Sequence, residues 1–240
     1  MRLLVSVADG REAHAALAGG ADVIDAKDPR RGALGAVATE VLAGICDAVG
    51  SARPVSAALG DASDERALER AARRAAALGV AFVKVGFAGI ADASRARRLV
   101  AAAARGAGEG HAAVVPVAYA DWRRAQSFAP EGLIAVAAAT GASGVLVDTA
   151  FKDTHLFALA VPEAVGLWVT AAHEAGMFAC LAGSLQGSDF ATARALGADL
   201  VGVRGAACVG GRAGRVSRAR VAALRVLAGA APRARAAALV

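Results

Sequence analysis

Three lysines stand apart in this chain, because arginine supplies nearly all of its positive charge. Of the 27 basic residues, only Lys27, Lys84 and Lys152 are lysine. Each lies within or just after a short apolar run, in the segments DVIDAK, VAFVKVG and GVLVDTAFK. A lysine amine can lose its proton in a suitable pocket and attack a carbonyl carbon, whereas a guanidinium stays charged. The three positions are therefore candidates for Schiff-base chemistry.

Two aspartates accompany these lysines: Asp25 precedes Lys27 by two residues, and Asp148 precedes Lys152 by four. Residues two apart in a strand share a face, so Asp25 and Lys27 would point the same way. Positive neighbours and lost hydration lower the pKa of a lysine. A fall in this pKa from about 10.4 to about 7.5 corresponds to a change of roughly 4 kcal/mol in the free-energy difference between the charged and the neutral amine. The carboxylates would then position the amines and move protons. Alternatively, the pairs only tie strand ends together.

Glycine-containing turns follow the last two apolar runs, in the segments LAGSLQGSD and GVRGAACVGG. Such turns let backbone amides approach an anion, although they also end ordinary strands. The sequence contains no Walker loop, and no G-x-G-x-x-G follows the first strand, so it does not indicate nucleotide binding. The candidates for binding a substrate phosphate are Gly183, Ser184, Arg204, Gly205 and Ala206.

The elements that would position these residues are eight apolar runs. They are continuously apolar rather than alternating, which is typical of strands covered on both faces. The predicted strands are Leu3–Val7, Asp22–Lys27, Pro54–Leu59, Val80–Gly86, Ala113–Tyr119, Gly144–Asp148, Phe178–Gly183 and Asp199–Arg204.

Amphipathic, alanine-rich segments separate the runs and predict helices, several of them ending at glycine. Eight strands alternating with helices over 240 residues predict an α/β fold, a single-domain (β/α)8 TIM barrel, with a doubly wound sheet as the alternative. We assign residues 1–227 to the barrel and 228–240 to a tail or terminal helix. In such a barrel the carboxyl ends of all strands meet at one mouth, which would bring the candidates together. The predicted helices include Ser63–Leu78, Asp92–Arg105, Glu131–Thr140 and Asp189–Leu196.

Composition narrows the function classes. The net charge of +6 is compatible with nucleic acid, a membrane surface or an anionic substrate. Clustered arginines alternate with alanine and leucine at helical spacing, which favours a solvated outer face, and aromatic residues make up only 4% of the chain. A nucleic-acid-binding protein therefore stays an alternative, but the weaker one. Three cysteines without a C-x-x-C pair and histidines without zinc-ligand spacing predict neither disulfides nor a metal site.

The location of the protein is predicted from its apolar stretches. The N-terminal stretch is too short for a signal peptide, and no run has the length and character of a membrane span. We expect a cytoplasmic protein that binds neither membranes nor nucleic acid. Whether the chain forms homo-oligomers is left open.

The segments DVIDAKDPRRGALGA, FVKVG and LVDTAFKD together resemble the (5-formylfuran-3-yl)methyl phosphate synthases, from LLVSVAD to GVRGAAC. The resemblance implies a barrel lyase of methanofuran or methylofuran biosynthesis. Such an enzyme joins two glyceraldehyde 3-phosphate molecules with loss of phosphate and water, and needs no metal or organic cofactor. It further implies that Lys27 forms the Schiff base and Lys84 accepts a proton. Asp25, Asp148 and Lys152 occupy the positions of supporting acid–base residues.

One departure from that family is visible after Lys152 and Asp153, where Thr154 and His155 stand in place of an expected glycine. A class I aldolase acting on another sugar phosphate would use the same lysine chemistry, and it is the nearest alternative among enzymes. Such an aldolase would cleave its substrate reversibly and form no furan.

Overall fold

Eight parallel strands form a closed barrel in the computed structural model, which describes residues 1–229. Each strand pairs with the next along the chain, and β8 closes the barrel on β1. The prediction of a (β/α)8 barrel is therefore confirmed. The strands are β1 (Arg2–Val7), β2 (Val23–Ala26), β3 (Val55–Asp61), β4 (Phe82–Gly86), β5 (Ala113–Tyr119), β6 (Gly144–Asp148), β7 (Phe178–Leu181) and β8 (Leu200–Val203).

Helices follow the strands and surround the barrel. Several begin at an aspartate whose carboxylate accepts a hydrogen bond from the first turn, as Asp64 does from the amide of Ala67 at 2.7 Å. The helices are α1 (Gly10–Ala18), α2 (Thr39–Val49), α3 (Glu65–Ala77), α4 (Ala93–Gly108), α5 (Pro130–Ala139), α6 (Leu156–Leu159), α7 (Pro162–Glu174), α8 (Phe190–Ala195) and α9 (Arg218–Ala228). Of the predicted tail 228–240, residues 230–240 lie outside the described residues.

Apolar side chains pack in two separate regions. The larger region lies between the strands and the helices and consists largely of alanine and branched apolar side chains from both layers. The smaller one fills the barrel interior below the mouth, with Phe82 and Phe178 in edge-to-face contact at a centroid distance of 5.6 Å. Because this interior is dry and apolar, charged groups just above it lose much of their hydration.

The arginine-rich helices α3 and α4 present their charges outwards, as the helical spacing predicts. Several of these arginines pair with glutamates of the same two helices: Arg98 with Glu65 at 3.0 Å, and Arg105 with Glu69 at 3.0 Å. Exposed pairs of this kind contribute about 0–1 kcal/mol each. Within residues 1–229, no helix combines the length and apolar character that crossing a membrane requires.

The loop between β2 and α2 covers part of the mouth above β4. Leu34 of this loop is buried against Gly86, the last residue of β4. Beside it, the hydroxyl of Tyr119 donates to Asp61 Oδ1 at 2.7 Å, and burial together with this carboxylate raises the pKa of Tyr119 well above its ordinary value. A Cβ atom on Gly86 would overlap with Asp61, Tyr119 and Leu34. Glycine at this position therefore allows the contact to form.

Replacing Gly86 with alanine is expected to lower the free energy of unfolding by about 2–4 kcal/mol. The added methyl group overpacks the site and separates the Tyr119 hydroxyl from its acceptor, leaving a buried polar group without a partner. Urea titration followed by circular dichroism measures the change. Gly108→Ala is the matched control, since a Cβ there has nothing within 4 Å and alanine favours the end of α4. Equal stability of the two variants would contradict the prediction.

Candidate active site

A cavity of about 360 Å³ opens at the carboxyl ends of the strands. It is the mouth at which enzymes of this architecture carry out their chemistry. All ten residues singled out from the sequence line this cavity: Asp25, Lys27, Lys84, Asp148, Lys152, Gly183, Ser184, Arg204, Gly205 and Ala206.

Asp25 lies at the centre of the mouth and is completely buried. Lys84 Nζ is 2.5 Å from its Oδ1, and the hydroxyls of Ser6 and Ser56 donate to its two oxygens at 2.7 and 2.8 Å. Burial alone would raise the pKa of Asp25, but the ammonium groups of Lys84 and Lys27 outweigh it and hold the pKa below its usual value. Asp25 is therefore a fixed carboxylate paired with Lys84.

A second pair lies on β6 and the loop after it. Lys152 Nζ is 2.5 Å from Asp148 Oδ1 and also donates to the carbonyl and the hydroxyl of Thr149. Burial acts to raise the pKa of Asp148, and Lys152 and Lys27 lower it below its usual value. Thr154 and His155, which replace the glycine expected from the family, do not line the cavity. Lys152 still donates to three acceptors, the Asp148 carboxylate and the carbonyl and hydroxyl of Thr149.

Lys27 differs from the other two lysines. It is 7% exposed, and within residues 1–229 its amine has no ion pair or hydrogen bond. Loss of hydration is the largest effect on its pKa; Asp148 and Asp25 partly offset it, and Lys84 and Lys152 add to it, so that the pKa falls to about 7. An amine that is half neutral near pH 7 and unpaired is suited to nucleophilic attack on a carbonyl.

The rate of imine formation at Lys27 is expected to rise about tenfold from pH 5 to pH 6 and to level off above pH 8. Only the neutral amine attacks. Because the pKa of Lys27 is about 7, the neutral fraction decreases as the pH falls below 7. Rapid-quench borohydride trapping with a triose phosphate measures the profile. Lys84→Met should move its midpoint upward, because it removes a positive charge and frees Asp25. A midpoint near 10 in the unchanged protein would contradict the prediction.

The two turns predicted to bind phosphate lie side by side at the ends of β7 and β8. Gly183 and Ser184 both have a positive φ, +96° and +54°. For Ser184 this is a backbone conformation that residues other than glycine rarely adopt. Gly205 and Ala206 open a single turn of 3-10 helix after β8. The residues of both turns line the cavity, and backbone amides of such turns together with the Ser184 hydroxyl are suited to holding an anion.

Arg204, the fifth predicted phosphate residue, is fully engaged within the protein. Its guanidinium donates to both Glu12 oxygens and to the backbone carbonyls of Ser6, Arg212 and Gly214. A guanidinium has five N–H donors, and these five bonds use all of them. The geometry therefore gives the Arg204 side chain no donor for a phosphate. Instead it anchors the chain that returns from β8 through a short hairpin of β9 (Cys208–Val209) and β10 (Arg215–Val216).

Sequence reasoning missed several residues at the site. Ser6 and Ser56 face Asp25 from β1 and β3 in paired register, a relation that the alternation of strand faces could have suggested once the barrel was assumed. Arg212 and Arg220 line the cavity from the hairpin and from α9, and no sequence signal separates them from the other arginines. Within residues 1–229, no cluster of three or more histidine, cysteine or acidic side chains could hold a metal ion.

Solved structures with similar folds include enzymes. A 3-hexulose-6-phosphate synthase superimposes with a TM-score of 0.62 at 20% identity, over 95% of this chain and 99% of the other. A phosphoribosyl anthranilate isomerase from Thermus thermophilus gives 0.60 at 16% identity, over 95% and 98%. At these identities the likeness supports the fold alone.

Sequence relatives are closer. The (5-formylfuran-3-yl)methyl phosphate synthase of Methanopyrus kandleri is 42% identical over 211 residues, which cover 86% of this chain and 89% of the relative. That of Methanocaldococcus jannaschii is 36% identical over 233 residues, covering 95% and 99%. The family model described as 4-HFC-P synthase matches residues 3–225. The chain therefore belongs to the 4-HFC-P synthase family, as the resemblance implied.

Proposed function

We propose that this protein condenses two molecules of glyceraldehyde 3-phosphate to (5-formylfuran-3-yl)methyl phosphate through a Schiff base on Lys27. The synthase names of its relatives support the product. The single observation that carries the mechanism is the state of Lys27. It is an unpaired, largely buried amine with a pKa of about 7, lying among two lysine–aspartate pairs.

The reaction begins when the neutral amine of Lys27 adds to the carbonyl carbon of the first triose phosphate and water leaves, forming an imine. The imine withdraws electrons, so an α-proton becomes acidic and is taken by the Asp25–Lys84 pair. The second molecule loses its phosphate by elimination, and the enamine carbon adds to the carbon that carried this phosphate. The aldehyde carbon of the second molecule is thereby kept as the formyl group of the product. The Asp148–Lys152 pair protonates the departing phosphate oxygen.

The remaining steps are eliminations, ring closure and release from Lys27. Two triose phosphates contain the atoms of the product together with one phosphoric acid and two waters, so no oxidant or reductant is needed. Every step moves protons, which is the reason for two carboxylate–ammonium pairs beside one nucleophile. The turns at Gly183–Ser184 and Gly205–Ala206 hold the phosphate of the imine-forming molecule.

Incubation with glyceraldehyde 3-phosphate alone tests the proposal. A stable ultraviolet-absorbing furan should accumulate together with one equivalent of inorganic phosphate, and mass spectrometry should identify the furan. Borohydride added during turnover should inactivate the protein and leave a reduced adduct. A borohydride adduct without a chromophore would instead favour a class I aldolase, and the absence of both would refute the proposed function.

A further inference from the structure

Two arginines of the cavity wall, Arg212 and Arg220, have free donors and no assigned role. Arg212 is half-buried, and within residues 1–229 only one of its five N–H groups is used, in a 2.7 Å hydrogen bond to the carbonyl of Gly32. Arg220 is exposed and, within residues 1–229, its side chain has no hydrogen bond or ion pair. Both differ from Arg204, whose donors are all occupied.

Among residues 1–229, most charged side chains of the mouth are balanced by an ion-pair partner. Lys84 is neutralised by Asp25, Lys152 by Asp148, and Arg204 by Glu12. Lys27 is close to half neutral at pH 7. The excess positive charge that faces the cavity therefore comes mainly from Arg212 and Arg220, and two uncompensated guanidinium groups suit two anionic groups.

The two arginines reach the cavity from different elements. Arg220 belongs to α9, which begins beside the turns that follow β7 and β8. Arg212 lies on the hairpin and is tied to the loop after β2 through Gly32. Burial lowers the pKa of Arg212, and Asp148 is the carboxylate that acts on it most strongly. Arg212 lines the same cavity as the three lysines, where a second substrate must approach an enamine on Lys27.

We propose that Arg212 binds the phosphate of the second triose phosphate, while Arg220 and the turns after β7 and β8 bind that of the first. This inference rests on the proposed function. It follows from the saturation of Arg204, from the four donors of Arg212 that find no acceptor among residues 1–229, and from the need to hold two phosphate groups in one cavity. A guanidinium offers a phosphate two parallel hydrogen bonds, which fix the orientation of the second aldehyde as well as its position.

The experiment separates the two binding events with one substrate, glyceraldehyde 3-phosphate. The concentration that half-saturates borohydride trapping at Lys27 reports the first molecule, and the concentration that half-saturates furan formation reports the second. Arg212→Gln should leave the trapping value within about twofold. It should raise the value for furan formation about 10- to 100-fold, the range for losing a charge-assisted hydrogen bond. Arg212→Lys keeps the charge but not the paired donors. Its half-saturating concentration for furan formation should lie between those of the unchanged protein and of Arg212→Gln.

Arg215→Gln is the matched control, because Arg215 lies on the same hairpin but pairs with Asp9 outside the cavity lining. It removes the same charge and should change neither value. If Arg212→Gln raised both values equally, or neither, the inference would be overturned. If Arg212→Gln failed to fold, Arg212→Lys would carry the comparison. A wild-type protein that formed no furan would instead refute the proposed function itself, a result visible without any variant.

Discussion

Replacing Lys27 with alanine is expected to abolish both furan formation and borohydride trapping, with a loss of activity of at least about 10⁴-fold. Loss of a covalent nucleophile has effects of this size in other enzymes. Lys27→Arg should be equally inactive, because a guanidinium keeps the charge but cannot form an imine. Peptide mass mapping after reduction with labelled borohydride identifies the modified lysine, and the furan absorbance measures turnover.

The loss should be chemical rather than structural. Asp25 and Asp148 keep their partners when Lys27 is removed, since each pairs with another lysine at 2.5 Å. Thermal unfolding of Lys27→Ala should therefore match that of the unchanged protein. Lys152→Arg is the informative companion, since it keeps a cation beside Asp148 and should still be trapped at Lys27. An adduct on Lys84 or Lys152 in the unchanged protein, or turnover by Lys27→Ala, would contradict the assignment.

The sequence was sufficient to bring the three lysines to one mouth but not to separate their roles. Each lies within or just after an apolar run, so the barrel prediction places all three near the carboxyl ends of strands. What distinguishes Lys27 is the pairing of the other two, and pairing depends on distances between strands. Lys84 of β4 meets Asp25 of β2, across the intervening strand β3. Sequence spacing does not show which carboxylate a lysine reaches in such an arrangement.

The elements themselves were predictable where apolar runs end abruptly. The predicted strands Ala113–Tyr119 and Gly144–Asp148 coincide with β5 and β6, because polar or turn residues bound both. The predicted Phe178–Gly183 is longer than β7, which ends at Leu181. Ala182 and Gly183 are small and apolar and therefore continue the pattern, but they line the mouth instead of extending the strand.

Arginine was the residue type that the sequence could not interpret. Arg204 follows the last strand directly and was a reasonable phosphate candidate, whereas Arg212 lies among glycines with no motif around it. In the structure Arg204 is the less suitable phosphate ligand of the two, because its guanidinium is paired with Glu12 of α1, which lies 192 positions away in the sequence. A partner so distant in the chain cannot be read from local pattern. Because this long-range contact occupies the Arg204 guanidinium, Arg212 is the better candidate for binding a ligand.

Changing Glu12 to glutamine is expected to lower the free energy of unfolding by about 3–5 kcal/mol, because it leaves the Arg204 guanidinium buried without a carboxylate. Both side chains of this pair are less than 5% exposed, and Arg204 Nη1 is 2.5 Å from Glu12 Oε2. Urea unfolding measures the change. Glu65→Gln is the matched control, since it breaks an exposed pair with Arg98 and should cost about 0–1 kcal/mol. Similar losses in the two variants would contradict a buried, structural pair.

A double variant, Glu12→Leu with Arg204→Met, separates stability from positioning. It buries no charge, so it should recover much of the stability that Glu12→Gln loses. It also removes the hydrogen bonds that hold the carbonyls of Arg212 and Gly214, and the hairpin loses its anchor. The half-saturating substrate concentration for furan formation should therefore stay raised in a protein that is again stable. Recovery of both quantities together would show that Arg204 does not position the hairpin, and that Arg212 reaches the cavity without it.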